Sequence, residues 1–179
     1  MVEFSGEELV QRVEQDGCFV LENYFSEKEI VKAKKELSAL LDEDDAYREK
    51  KGDVPMRRLN EQGDVYSAKS DVIHSILHSL WYSPELKKLF DKIFSDPELR
   101  IFTDKAIGKN FRMRADVTRR ASGKNDFVDG FQIPHQWHRD SAGEFAFGFF
   151  LDDFSKDLSG GTGVMKGTHW RGYKPQFDF

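Results

Sequence analysis

The chain has 179 residues, enough for one domain with a sizeable core. Its 27 Lys and Arg against 32 Asp and Glu leave a net charge of −5, which argues against nucleic acid as the main partner because phosphate binding wants a basic face. The single cysteine, Cys18, rules out an intramolecular disulfide, and no run of about 18 apolar residues is present to span a membrane.

The remaining composition is that of a soluble globular protein, with 39% hydrophobic and 33% charged residues. Cys18 lies in an apolar run and reads as a small buried hydrophobe. The opening residues lack the basic and apolar regions of a signal peptide, and with the cysteine usage this implies a cytoplasmic protein. Phe is unusually frequent, at 16, and many of these fall in the second half, as a β core would want.

In chain order, Ser5 with Glu8 makes a capping-box pattern that predicts a helix over 6–15, ended by Gly17. Cys18 to Leu21 reads as a strand. Ser26 and Glu29 repeat the box, and Ile30, Ala33, Leu37 and Leu40/Leu41 line one face of a helix over about 27–42. Residues 42–70 carry the acidic run Asp42 to Asp45, several basic residues and few apolar ones. They read as a long loop, either a solvated surface or a lid over a site. Asp71 reads as the cap of a helix bearing Val72 to Trp81. His74 and His78 then fall at i, i+4, a metal-ligand spacing with no acidic or Cys partner nearby in sequence, so both read as ordinary helix residues. Pro84 suits the first position of a further helix.

From about residue 99 the period changes to two. Phe111, Met113, Ala115 and Val117 alternate with Arg112, Arg114, Asp116 and Thr118, giving one apolar and one charged strand face. Helices followed by strands predict one α+β domain over 1–179, helical to about 98 and β from about 99, with a double-stranded β-helix (jelly-roll) core.

Residues 134–140, Pro-His-Gln-Trp-His-Arg-Asp, contain a His-x-Asp triplet, His138 and Asp140. On a strand these side chains share a face, with roots roughly 6–7 Å apart. One imidazole and one carboxylate make two-thirds of the facial triad that holds non-haem Fe(II). Standing alone, such a triplet is more often a surface pair.

The triplet is followed by Phe145-Ala146-Phe147-Gly148-Phe149-Phe150-Leu151-Asp152-Asp153, a Gly-rich turn at Ser159 to Gly163, and Gly167-Thr168-His169-Trp170. This order resembles the phytanoyl-CoA dioxygenase-like family of Fe(II)/2-oxoglutarate oxygenases. Asp16 to Leu21 with Phe25 to Ile30, and Leu77 to Leu86, are also similar to that family, so the resemblance spans nearly the whole chain. It implies Fe(II), 2-oxoglutarate and O2 as cofactor and cosubstrates, acting on a small organic molecule. It implies His138 and Asp140 as metal ligands. Asp140 in place of a small residue favours oxygen insertion or desaturation over halogenation.

By the same resemblance, Arg112 and Arg114 stand where polar residues face cosubstrate and substrate; a solvated strand face paired with Asp116 is the other reading. An Arg fork suits a carboxylate. His135 aligns with a pocket position or is a loop histidine. Phe149 stands where relatives carry an aromatic over the cosubstrate, or it packs in the core. Arg139 departs from the family's usual Gln or Ser and points away from the ligands.

The family's second ligand histidine, and the Arg that follows it, lie beyond the Gly-Thr-His element, and this sequence stops at Phe179. His169 matches the family's structural turn and is otherwise the one candidate for a third ligand. The expectation is therefore a barrel incomplete at its C-terminus, completed by further sequence, by self-association or by another chain. A non-catalytic binding module of the same fold, or an oxygenase remnant, is the competing expectation.

Overall fold

The computed structural model describes residues 3–52, 54, 56–70, 73–110, 112–113, 116–121, 127–128, 131–132, 144–152 and 163–169. These form a mixed α+β arrangement of four helices and a four-stranded antiparallel sheet. Helix α1, Gly6–Asp16, carries the capping box of Ser5 and Glu8 and ends on Gly17 at φ 81°. That left-handed conformation is cheap for glycine and strained for other residues. Helix α2, Glu27–Lys51, opens with the same reciprocal box from Ser26 and Glu29. Helices α3, Pro84–Ser95, and α4, Pro97–Ala106, each begin with proline at the first position behind a capping side chain, Ser83 and Asp96.

The sheet runs in the order β1 (Met56–Arg58), β2 (Tyr66–Lys69), β3 (Ile73–Leu77) and β4 (Val117–Ala121). A two-residue pair, β5 (Phe127–Val128) with β6 (Phe131–Gln132), stands apart from it. Three apolar clusters hold the elements together. Leu9, Ile93, Leu99 and Phe102 join α1 to α3 and α4. Ala33, Leu37, Leu86 and Leu89 join α2 to α3. Leu41, Val65 and Ile76 join α2 to the sheet. No described helix is long and apolar enough to cross a membrane.

Several expectations are corrected here. The loop expected over 42–70 is instead the second half of α2, then β1 and β2. The helix expected from Asp71 to Trp81 is β3 followed by a 3-10 turn at Ser79–Trp81. His74 and Ile76 point inward from β3, and the strand has partners on both sides, so ladder pairing overrides the helical spacing. Cys18 to Leu21 is irregular. The division at about residue 98 is also not seen, since β1 to β3 precede it and α4 crosses it.

The acidic run is helical because its charges are consumed by the sheet. Asp44, fully buried, accepts from Arg48 Nε at 2.8 Å and from Arg57 Nη1 at 2.7 Å, and lies 2.8 Å from His74 Nε2. Arg48 also donates to Ser67 Oγ at 2.9 Å and to the carbonyl of Val54. Asp45 accepts from Lys69 and from Arg120 Nη2, the latter at 2.6 Å. Burial by itself pushes the Asp44 carboxyl up, but hydrogen bonds from Arg48, Ser67, Arg57 and His74 outweigh it and hold it well below the usual carboxylate range. Asp45 is lowered in the same way, burial being outweighed by Lys69, His74 and Arg120.

Carboxyls depressed in the fold stabilise it fully above their unfolded range, and that contribution disappears as pH falls through the folded values. Asp44→Asn is expected to cost about 3–5 kcal/mol at neutral pH, because it leaves buried cations uncompensated. Urea unfolding across pH checks this: the gap between the two proteins should narrow as the solution is acidified below about pH 4.

Candidate functional site

Phe145, Phe147, Phe149 and Leu151 are half-buried, and their even-numbered neighbours from Glu144 to Asp152 are exposed. This period-two segment lies along the helices. Phe145 meets Phe102 at 5.2 Å, Phe147 meets Phe94 at 5.6 Å, and Phe149 meets Phe25 edge-on at 5.6 Å. Phe149 belongs to two of the apolar clusters at once. Its described surroundings are thus core packing against α2 and α3. Asp152 ties the far end to α2 by pairing with Lys34.

The Gly-Thr-His element docks on the end of α1. Gly167 N donates to the Asp16 carbonyl at 2.9 Å, and Lys166 Nζ pairs with Asp16 Oδ2 at 2.7 Å. The His169 ring lies over Gly17, where an added Cβ would stand 2.5 Å from Nδ1. Its Nε2 is 3.1 Å from the Glu14 carbonyl. Gly17 is therefore required twice, for its positive φ and for the absence of a side chain under His169. The pairing with Asp16 raises the Lys166 amine above its usual range.

Arg112 is exposed and lies before β4 rather than on a described strand, and Met113 beside it is 52% exposed. The alternation continues into β4 with Thr118 and Arg120 half-buried and Val117 and Arg119 exposed. Thr118 Oγ1 lies 2.8 Å from Ser79 Oγ, Arg120 Nη1 reaches Asp42 at 2.5 Å, and Val117 is 42% exposed. The outer side of that strand accordingly carries Val117 and Arg119 together. Asp116, just before β4, accepts from Ser79 Oγ and from Leu80 N, each at 2.9 Å. His78, in the left-handed region at φ 58°, brings its Nδ1 to 3.9 Å from the second Asp116 oxygen.

His138, Asp140, His135 and Arg114 lie outside the described residues. The described structure therefore gathers Phe149 with the helical core and His169 with α1, and leaves Arg112 at the surface. Among the described residues no group of three or more His, Cys, Asp or Glu side chains stands together that could hold a metal ion. Sequence reading missed His74 and its partners Asp44, Asp45 and Arg120. One signal was available, the i, i+4 spacing of Asp44 and Arg48. No family model, curated protein or solved structure matches the chain.

The fit of His169 over Gly17 generates a double-mutant expectation. Gly17→Ala should destabilise the protein by about 1–3 kcal/mol through positive φ and overpacking. In a His169→Ala background part of that loss should disappear, giving a coupling of about 0.5–2 kcal/mol by denaturant unfolding. Additive effects would separate the ring from the glycine.

Proposed function

We propose that this chain is a non-haem Fe(II)/2-oxoglutarate dioxygenase of the phytanoyl-CoA dioxygenase-like type, acting on a small organic substrate in the cytoplasm. The observation that carries the reading is the order of motifs in the sequence: His138-x-Asp140, the aromatic Phe145 to Asp152 segment, the Gly-rich turn, and Gly167-Thr168-His169. The double-stranded β-helix belongs to the same proposal. The α+β character of the described part and the alternating burial of Phe145 to Leu151 support it.

The donor set suits Fe(II) in kind, an imidazole from His138 and a carboxylate from Asp140. Bound iron with 2-oxoglutarate would supply oxygen activation coupled to oxidative decarboxylation. His138 and Asp140 would hold the metal, and Arg114 or Arg112 would offer a guanidinium fork to a carboxylate. His135 and Phe149 are the remaining pocket candidates carried by the resemblance. His169 fits a ligand role poorly, because its ring is spent on Gly17 and its Nε2 on the Glu14 carbonyl. The second reading is a non-catalytic binding module of the same fold.

Anaerobic titration of the chain with Fe(II) and 2-oxoglutarate decides between them, read by the metal-to-cosubstrate charge-transfer band. The oxygenase reading expects a band that His138→Ala and Asp140→Ala abolish and His169→Ala leaves in place. Absence of any band, with iron binding unchanged in His138→Ala, removes the oxygenase reading. Loss of iron in His169→Ala as complete as in His138→Ala would make His169 the third ligand.

A further inference from the structure

We infer that His74 is a proton-operated latch that seats the second half of α2 on the sheet, closed while the ring carries both its protons and opened when one is lost. His74 is 3% exposed and stands between two carboxylates of consecutive residues. Nε2 lies 2.8 Å from Asp44 Oδ2. Nδ1 lies 3.2 Å from Asp45 Oδ1, within ion-pair reach but off the hydrogen-bond line. A neutral imidazole has one N–H and one lone pair, so it can donate toward only one of these oxygens. Its other nitrogen then faces a carboxylate oxygen, acceptor against acceptor, away from water. The imidazolium donates toward both, and a buried bridge of this kind gains when every partner is satisfied.

Each element packed around the ring contributes charge. From α2 come Asp44, Asp45 and Arg48, with Asp42 at the edge bound to Arg120. From β1 comes Arg57, on Asp44. Lys69 of β2 and Arg120 of β4 are the cross-strand partners of His74 on its two sides, and both bind Asp45. The arginines keep their charge at any pH the fold tolerates. The two carboxylates are held ionised, being lowered by these same cations. Of the groups in the joint, the imidazole and the Lys69 amine are thus the ones with a proton to lose while the guanidinium and carboxylate charges stay fixed. Asp45 is the partner free to leave, since its side chain is 28% exposed while that of Asp44 is fully buried. Opening would turn Asp45 toward solvent with Lys69 and Arg120 and loosen α2 from there to Lys51, while α1, α3 and α4 rest on apolar clusters that the proton does not touch.

The experiment is a pH titration of the intact 15N-labelled chain. Ring 15N–1H correlations report the protonation of His74, assigned by its absence from His74→Gln, and amide exchange reports protection along α2. The expected result is that protection factors of residues 43–50 fall about tenfold over the pH interval in which His74 loses its second proton, with α1 and α3 unchanged. In Asp45→Asn, with unchanged protection of α1 and α3 showing that the fold is intact, that step should vanish. Protection of 43–50 that stays level through the His74 titration overturns the latch. So does a step that persists unchanged in Asp45→Asn, a ring that keeps one lone pair across the whole range, or a ring that keeps both protons until the protein unfolds.

Discussion

A buried carboxylate has to be answered, and the answer given to Asp44 fixes how the two structural halves of the described chain meet. Its two oxygens collect a guanidinium from its own helix, a second from β1 and a ring from β3. Each partner is anchored elsewhere. Arg48 reaches on to Ser67 of β2, and Arg57 lies 3.6 Å over the Tyr47 ring. Removing any one partner from such a set strands the others away from water, and a single stranded charge costs more than a surface ion pair ever contributes. The consequence is a helix–sheet joint defined by direction, where an apolar contact alone would allow sliding. Leu41, Val65 and Ile76 provide the apolar floor beneath it.

What the sequence disclosed follows from the kind of signal each element carries. Local signals were legible: the reciprocal boxes at Ser5 and Ser26, Gly17 at the close of α1, and Pro84 at the start of α3 act within one turn and need no distant partner. Non-local ones were not. The run from Asp42 to Asp45 reads as solvated polar chain until the strands that neutralise it are in place. Ile73 to Leu77 has apolar residues at spacings that a helix and a strand share, and only pairing with β2 and β4 decides between them. His74 was set aside because its acidic partners lie 29 and 30 positions earlier, beyond any sequence-spacing rule. The candidate metal pair, His138 and Asp140, was found by motif order alone, and the described residues add its neighbours on either side rather than the pair itself.

Those neighbours are instructive about what alternation means. From Glu144 to Asp152 burial alternates strictly, and the inward rings meet Phe25, Phe94 and Phe102. The inward face is set by apolar packing, which needs no ladder. Before and along β4 the period-two pattern also holds, and there the half-buried side carries Thr118 and Arg120. Thr118 and Arg120 turn inward because hydroxyl and carboxylate partners wait there, leaving Val117 outside. Period reports backbone geometry, and the partners available on each side decide which face is buried. Hydrophobicity predicts that choice where the inner surface is apolar and fails where it is ionic.

The same distinction bears on His169. By type and position it was the sole later histidine open to a metal role, and by surroundings it is a wedge on the end of α1. A helix C-terminus leaves carbonyls without intrahelical donors, and the Asp16 carbonyl receives Gly167 N while the Glu14 carbonyl faces the His169 ring nitrogen. Lys166 adds a cation where the helix dipole is negative. Three neighbouring residues thus meet needs that α1 creates, and Gly17 clears the space for the ring. The Gly-Thr-His triplet thus closes the end of α1 across about 150 residues of sequence.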